Sequence, residues 1–252
     1  LERKSRLPGT GFFYPDSLDE EYAERRTREA VAGSEAVVVA DTDADVLGCV
    51  ALVRAARNAA VDAADFEASM AARLSDGDGR AVSGSSADDD GNGDATAAAT
   101  DLVAAAEAEA DARPESTVAL VGAGPYSLGD ALGRVADHLE PGADVYVCDL
   151  CPDAYDDVAA PLERLPDRAG TVRWFDHHQW EPGIAKRVRT AGIDLVVGDS
   201  DEECSTDVAL RSLDAEFPAH LHDLAAVTRD HDLWIRADER SDDLADYAHW
   251  AD

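Results

Sequence analysis

The segment 170–180 reads GTVRWFDHHQW and determines how the rest of the chain is interpreted. Residues 170–175 predict a short, mainly apolar strand, and the sequence Glu-Pro-Gly directly after the segment interrupts regular structure. We therefore expect Asp176, His177 and His178 at the carboxyl end of a strand. Open α/β sheets bind their ligands at that edge.

Similar apolar runs predict further strands, and amphipathic or capped segments predict helices between them. The predicted strands are 35–40, 117–122, 143–148 and 193–197, and the predicted helices are 17–32, 46–59, 97–113, 127–139, 156–165, 181–190, 205–213 and 219–227. This alternation indicates βαβ units. It predicts an α/β fold with a mostly parallel, doubly wound sheet and a metal site at the carboxyl ends of the strands.

The 252-residue chain is long enough to bury a sizeable core. We expect an N-terminal helical segment over residues 1–34 and one domain over 35–252, with an Asp/Gly/Ser-rich insertion at about 74–96. No apolar run approaches the roughly 20 residues of a membrane span. Because no secretion signal is visible either, a cytoplasmic protein without a membrane partner is expected. Leu1 is not a start methionine, which indicates a piece of a longer chain.

The charge balance is extreme, with 54 acidic against 22 basic residues and a net charge of −32. Lys4 and Lys186 are the lysines, and the remaining bases are arginines. Such a surface suits concentrated salt, where repulsion between carboxylates is screened, and it predicts a halophilic source. No basic nucleic-acid face is visible. Phosphate steering is weak in molar salt, however, so the acidity does not exclude a nucleic-acid substrate.

The cysteines include one C-x-x-C pair, Cys148 and Cys151. A structural zinc site requires a second pair of cysteines, or histidines at matching spacing. A zinc site, a redox pair and ordinary small residues beside a strand end all stay open, and the last is favoured.

Four clusters of acidic and histidine residues carry the functional interpretation. They are Asp41/Asp43/Asp45 and Asp149 after predicted strands, Asp176/His177/His178, and Asp230/His231/Asp232 after a predicted helix. Each cluster alone also fits a helix cap or a solvated turn. Crowded carboxylates repel one another unless a cation binds them. Carboxylate and imidazole ligands suit Mn²⁺, with Mg²⁺, Co²⁺ or Fe²⁺ as alternatives, and so many ligands suggest two ions about 3.5–4 Å apart.

Taken together, the clusters resemble the motifs of the DHH phosphoesterase superfamily. That group includes RecJ-type exonucleases, oligoribonucleases, cyclic-dinucleotide phosphodiesterases and family II inorganic pyrophosphatases. Asp176-His177-His178 is similar to its signature, and residues 37–45 resemble the first motif in its RecJ-type Asp-x-Asp-x-Asp form. Residues 145–149 resemble the second motif and 227–234 the fourth, so the order agrees over residues 36–234.

The resemblance implies a role for each matching residue. Asp43 would bind the first metal ion, Asp45 the second, and Asp149 would bridge both, while His177 and Asp230 would complete the ligands. Asp41 stands near the position where many members have a histidine ligand. His178 would contact the scissile phosphate or act as an acid, and Asp176 would orient the two histidines. The implied mechanism is in-line attack of a metal-bound hydroxide on phosphorus.

The function implied is manganese-dependent hydrolysis of phosphodiester bonds in single-stranded or short nucleic acid. A cyclic-dinucleotide phosphodiesterase is an alternative, whereas Val39 stands where pyrophosphatases have a histidine. Another alternative is a non-catalytic RecJ-like scaffold that serves a replication or repair partner, and a homodimer is compatible with either. An unrelated acidic α/β binding domain would hold the clusters more than roughly 10 Å apart, since bridging needs near contact.

Two features depart from the family pattern. Val46 follows Asp45 where many nuclease members have a glycine or another small residue. No Gly-Gly stretch follows Trp234, so the glycine-rich C-terminal substrate domain is not expected in this chain. The remaining domain is therefore expected to bind substrate poorly by itself.

Overall fold

The computed structural model of the protein describes residues 16–41, 43–58 and 117–250. The chain divides into two compact units, residues 1–57 with 117–252 and residues 58–116. Every strand reported below belongs to the first unit. The expected insertion at about 74–96 and the predicted helix 97–113 lie outside the described residues, and the proposed division at residue 34 stays a prediction.

Five strands form one parallel sheet in the described part of the chain. They are β1 (Ala36–Ala40), β2 (Val118–Gly122), β3 (Asp144–Cys148), β4 (Val172–Asp176) and β5 (Asp194–Val197). The predicted α/β fold and parallel sheet are confirmed. The strand order is β2-β1-β3-β4-β5, so the order reverses between β1 and β3. Beyond the carboxyl ends of such a pair, open sheets form a ligand crevice.

Helices cover both faces of this sheet. Val37 and Val39 of β1 point into one core, and Val38 points into the other, as the alternation of side chains along a strand requires. The first core is covered by α1, α3, α4 and α5, and the second by α2, α6 and α7. The helices are α1 (Asp16–Val31), α2 (44–58), α3 (Leu128–His138), α4 (Ala159–Arg164), α5 (Pro182–Thr190), α6 (Ser205–Ser212), α7 (Ala219–Asp232) and α8 (Arg240–Trp250). No helix among the described residues is both long and apolar enough to cross a membrane.

Two helices differ from the sequence prediction by more than two residues at one end. The predicted helix 156–165 is a short α4 flanked by 3₁₀ turns at Tyr155–Asp157 and Leu165–Asp167, because Pro161 and Pro166 interrupt the hydrogen-bond ladder. The expectation that Asp230 to Asp232 follow a helix is wrong. Helix α7 continues to Asp232, so these residues form its last turn.

Candidate metal centre

Four separate segments bring acidic and histidine side chains together at the carboxyl edge of the sheet. Asp45 comes from the first turn of α2, Asp149 follows β3, His177 and His178 follow β4, and Asp232 ends α7. The ligand atoms of Asp149, His177 and His178 lie within 4.8 Å of one another, and so do those of Asp45, His177 and Asp232. We call these five residues the acidic–histidine cluster. Of the residues predicted as metal ligands, the structure thus brings Asp45, Asp149 and His177 together.

His177 lies at the centre of the cluster and belongs to both groups. Its Nε2 is 3.5 Å from Asp149 Oδ1 and 3.3 Å from Asp232 Oδ2. Burial opposes the charged imidazolium, but the hydrogen bond with Asp149 and the charge of Asp232 outweigh it and raise the pKa of His177 to about 9. The buried Nδ1 has no hydrogen-bond partner among the described atoms. The His177 imidazolium thus lies between two carboxylates and balances their negative charge. A bound metal cation could take over this role.

Asp149 adopts a strained backbone conformation directly after β3, with φ at 57°. Left-handed residues other than glycine are uncommon, and aspartate and asparagine tolerate this region better than most. Ser205 Oγ donates a hydrogen bond to Asp149 Oδ1 at 2.9 Å. Burial would raise the pKa of Asp149, but His177 and His178 outweigh it and keep that pKa below its ordinary value. Asp149 is therefore a buried carboxylate that stays ionised.

Asp45 lies against the N-terminus of α6. Its carboxylate accepts hydrogen bonds from the backbone N–H of Ser205 at 2.7 Å and of Thr206 at 2.8 Å, and its backbone carbonyl accepts one from Thr206 Oγ1 at 2.7 Å. Burial and repulsion from Asp149 nevertheless raise the pKa of Asp45 to about 7. From the sequence, Ser205 and Thr206 are expected only at the start of the predicted helix 205–213. Nothing local in the sequence indicates that their N–H groups meet a residue 160 positions away.

Asp41 and Asp43 lie at the edge of the cluster, and neither joins the two groups of adjacent ligand atoms. Asp43 Oδ1 accepts a hydrogen bond from Val46 N at 3.1 Å, which caps the start of α2. Although Asp43 is partly solvent-exposed, desolvation and the nearby Asp149 raise its pKa to about 6. Both residues line a cavity of about 580 Å³ that also contains Arg26 and Arg134. Their predicted roles as ligands stay predictions.

Asp176 organises the histidine pair from a fully buried position. Its Oδ1 accepts hydrogen bonds from the N–H of His177 at 2.9 Å and from His178 Nδ1 at 2.7 Å, and its Oδ2 accepts one from Trp180 Nε1 at 2.5 Å. The hydrogen bond with Asp176 raises the pKa of His178. Trp180 packs edge-on against Trp174, and its indole N–H also fixes Asp176.

Asp230 and Asp232 have different roles, although they are two residues apart. The Asp230 carboxylate accepts hydrogen bonds from the N–H of Ala237 at 2.9 Å and of Asp238 at 3.1 Å. Burial alone would raise the pKa of Asp230, but these hydrogen bonds outweigh that effect and keep the pKa below its ordinary value. Asp232 instead faces His177, and its buried Oδ2 accepts no hydrogen bond from the described residues. The structure therefore brings Asp232, rather than the predicted ligand Asp230, into the cluster.

An open pocket of about 540 Å³ lies over the cluster. It is lined by His177, His178, Gln179, Ser200, Asp201, Asp232, Leu233 and Trp234. About half of the His178 side chain is exposed to this space, with the ring held from behind by Asp176. A pocket of this volume can admit a small ligand.

The donor set of the cluster fits a divalent cation. Carboxylate oxygens and imidazole nitrogens are the ligands that Mn²⁺, Mg²⁺ and related ions take in proteins. Asp232 Oδ2 is a buried carboxylate oxygen that accepts no hydrogen bond from the described residues, and it is balanced by the ion pair with His177 Nε2 at 3.3 Å, a position that a divalent cation could take. The C-x-x-C pair does not contribute, since Cys148 and Cys151 are free thiols and no cysteine joins either group found among the described residues.

Comparison with known proteins yields no match. No protein-family model, no curated protein and no solved structure is significantly similar to the chain. The resemblance to the DHH superfamily therefore depends on the motifs themselves and on how their residues meet in this fold.

Proposed function

We propose that this protein is a metal-dependent phosphoesterase of the DHH type that hydrolyses phosphodiester bonds in single-stranded or short nucleic acid. The observation that carries the proposal is that Asp149 and Asp232 both approach His177 Nε2, at 3.5 and 3.3 Å, beside the carboxyl edge of the sheet, and that the buried Asp232 Oδ2 accepts no hydrogen bond from the described residues. These residues are up to 83 positions apart in the sequence (149 to 232). Because these residues converge, they argue against the alternative of an unrelated binding domain, in which the clusters would be widely separated.

Asp45, Asp149, His177 and Asp232 are the residues that would hold the metal, with Asp43 at the edge of the site. Bound Mn²⁺ supplies Lewis acidity, which activates water and neutralises charge on a phosphoryl group. The carboxylate of Asp45 can serve both α6 and a cation, because each of its oxygens keeps a further lone pair after accepting one N–H.

The remaining residues position the substrate and handle protons. His178 presents its imidazole to the pocket, and Asp176 fixes the orientation of that ring through Nδ1. An imidazole held in this way can contact a phosphoryl oxygen or pass a proton to a leaving group. Trp180 restrains Asp176 in turn, so the geometry of His178 depends on an indole outside the cluster.

The test combines metal binding with a substrate screen. Purified protein in concentrated salt is titrated with Mn²⁺ by calorimetry and then given single-stranded DNA, short RNA, a cyclic dinucleotide and pyrophosphate. We expect Mn²⁺ to bind and to be required for cleavage of the two linear nucleic acids. Cleavage of the cyclic dinucleotide alone would favour the alternative phosphodiesterase.

Asp149→Asn is the informative variant, because asparagine also tolerates the left-handed backbone of this position. We expect it to lower Mn²⁺ affinity and the cleavage rate by roughly a hundredfold or more while the unfolding midpoint changes little. Asp153→Asn, an exposed neighbour outside the cluster, is the matched control and should behave like the unaltered protein. Metal binding without cleavage of any substrate would favour the scaffold alternative, and absence of Mn²⁺ binding would contradict the proposal.

A further inference from the structure

Trp234 occupies an unusual position beside the candidate metal centre. The residue is 72% exposed, yet it lines the same pocket as His177, His178 and Asp232. Its backbone is left-handed, with φ at 57°. A bulky aromatic residue is uncommon in that region, and here the conformation ends α7: Trp234 N–H donates to the His231 carbonyl and Ile235 N–H to the Asp230 carbonyl, as in a Schellman cap.

Hydrogen bonds to Asp230 hold the chain around Trp234 in this conformation. The backbone carbonyl of Asp230 accepts hydrogen bonds from the N–H of Ile235 at 3.0 Å and of Arg236 at 3.2 Å. Its carboxylate accepts the N–H groups of the next two residues, Ala237 and Asp238. One residue therefore holds four consecutive N–H groups, and the segment that carries the indole is fixed to the end of α7.

The ring is oriented rather than covered by its neighbours. His231 stacks near it with centroids 6.4 Å apart and planes at 25°, and the Arg236 guanidinium lies 4.5 Å from the ring centroid. Most of the residue remains accessible in spite of both contacts. Tyr126 is even more exposed, at 95%, but it has neither a left-handed backbone nor a place in this pocket. Among the residues that the structure describes, Trp234 is thus the exposed large aromatic side chain that lines the pocket over the cluster.

We propose that Trp234 is a stacking platform for a base of the substrate, so that the pocket takes nucleotide phosphodiesters rather than phosphate esters without a base. This inference rests on the proposed function, because the metal centre sets where the phosphorus lies. Stacking on an aromatic ring tolerates any base. It also suits a chain with a net charge of −32, since phosphate contacts weaken in concentrated salt whereas stacking does not depend on charge.

The experiment measures equilibrium binding of a phosphorothioate trinucleotide and of its abasic analogue, in concentrated salt with Mn²⁺. The proteins compared are the unaltered chain, Trp234→Ala and Trp234→Phe, with Tyr126→Ala as a matched exposed-aromatic control. We expect Trp234→Ala to weaken binding of the base-bearing ligand by roughly ten- to a hundredfold and to leave the abasic ligand unaffected. Trp234→Phe should keep much of the affinity, and Tyr126→Ala all of it.

Several outcomes would overturn the inference. Equal losses for both ligands would make Trp234 a packing residue, and unchanged affinity in Trp234→Ala would move the nucleotide elsewhere, with the cavity beside Asp41 and Asp43 as the next location. Thermal unfolding of each variant separates these results from loss of the fold. Calorimetry with Mn²⁺ alone tests the metal centre separately, so failure of the proposed function and failure of the base platform give different results.

Discussion

Asp45 and Asp232 are two carboxylates whose ligand atoms lie within 4.8 Å of each other and of His177, and the structure uses them differently. At the junction between α2 and α6, both Asp45 oxygens accept a backbone N–H, and the buried hydroxyl of Thr206 returns a hydrogen bond to the Asp45 carbonyl. Asp232 Oδ2, in contrast, accepts no hydrogen bond from the described residues and lies 3.3 Å from His177 Nε2. Asp45 is almost fully buried, whereas the Asp232 side chain is partly exposed and lines the pocket. Asp45 thus supports the fold as well as offering a ligand, and Asp232 faces the candidate metal site without such a structural role.

The difference shows why an acidic cluster cannot be interpreted by residue type alone. A carboxylate with backbone donors holds two elements together, and its loss leaves buried N–H groups unsatisfied. A buried carboxylate with no donor costs stability unless a cation binds it. Stability and metal affinity should therefore respond to different substitutions, and three measurements test this separation.

The largest effect is expected on metal affinity from Asp232→Asn. Loss of a charged ligand should weaken Mn²⁺ binding by roughly a hundredfold, because substitutions around metal sites commonly cost tenfold to a hundredfold even beyond the ligands themselves. The free energy of unfolding of the metal-free protein should hardly fall, since burial already penalises the Asp232 charge and raises its pKa. Calorimetric Mn²⁺ titration and denaturant unfolding measure the two quantities.

Asp230→Asn is the control for that measurement. It keeps the side-chain volume but removes one of the two acceptors for Ala237 and Asp238, so it should lower the free energy of unfolding. Mn²⁺ affinity should stay within about threefold of the unaltered value, a change too small for a lost ligand. The reverse pattern, with Asp230 as the residue that controls metal affinity, would restore the ligand assignment made from the sequence.

A smaller effect, on stability, is expected from Gly48→Ala in α2. An added Cβ would lie 2.3 Å from Thr206 Oγ1 and 2.7 Å from Thr206 Cγ2. Thr206 is fully buried and donates its hydroxyl hydrogen bond to Asp45, so it cannot rotate away without losing that bond. Overpacking of this kind costs about 1–3 kcal/mol, and we expect a net loss of about 2 kcal/mol in denaturant unfolding.

Gly133→Ala is the matched helical substitution. The nearest atom to a Cβ at this position in α3 is Arg164 Nη2 at 3.8 Å, which is ordinary contact. Alanine should therefore stabilise α3 by about 0.5–1 kcal/mol through helix propensity alone. If Gly48→Ala were also stabilising, the close approach between α2 and α6 would be contradicted.

The smallest effect is the dependence of stability on pH in the metal-free protein. Asp43 and Asp45 have pKa values raised from 3.8 to about 6 and about 7. From pH 3.8 up to these raised values, the folded state therefore binds more protons than the unfolded state. Their unfavourable charges lower stability as pH rises through this window. The pKa of His177, raised from 6.5 to about 9, adds a contribution that is present below pH 6.5 and lost as pH rises through about 9.

Added Mn²⁺ should oppose this trend. Its ligands must be deprotonated, so the increase in the unfolding midpoint caused by the ion should grow over the same pH range. Thermal unfolding between about pH 4 and pH 9, with chelator or with Mn²⁺, measures both curves. A metal-free midpoint that rises steadily over this range would contradict the raised pKa values of Asp43, Asp45 and His177.

Much of the fold and part of the site could be predicted from the sequence, because the relevant signals are local. Short apolar runs such as residues 36–40 and 144–148 predicted strands that the structure contains. The polar residues directly after them, Asp149 and the Asp176-His177-His178 run, were predicted at the carboxyl edge where they lie. A residue that follows a parallel strand must lie at that edge whatever the remaining packing, so local pattern is sufficient for this conclusion.

Only the tertiary structure determines which of these side chains contact one another. Successive residues of a helix are about 100° apart around its axis, so Asp230 and Asp232 face nearly opposite directions. Which of the two reaches His177 therefore depends on how the C-terminal end of α7 is oriented. The bonds from Ser205 and Thr206 to Asp45, and from Trp180 to Asp176, depend likewise on how elements pack. Sequence patterns therefore determined the strands and the chemical types at the edge, while long-range packing determined which carboxylates support the fold and which face the pocket.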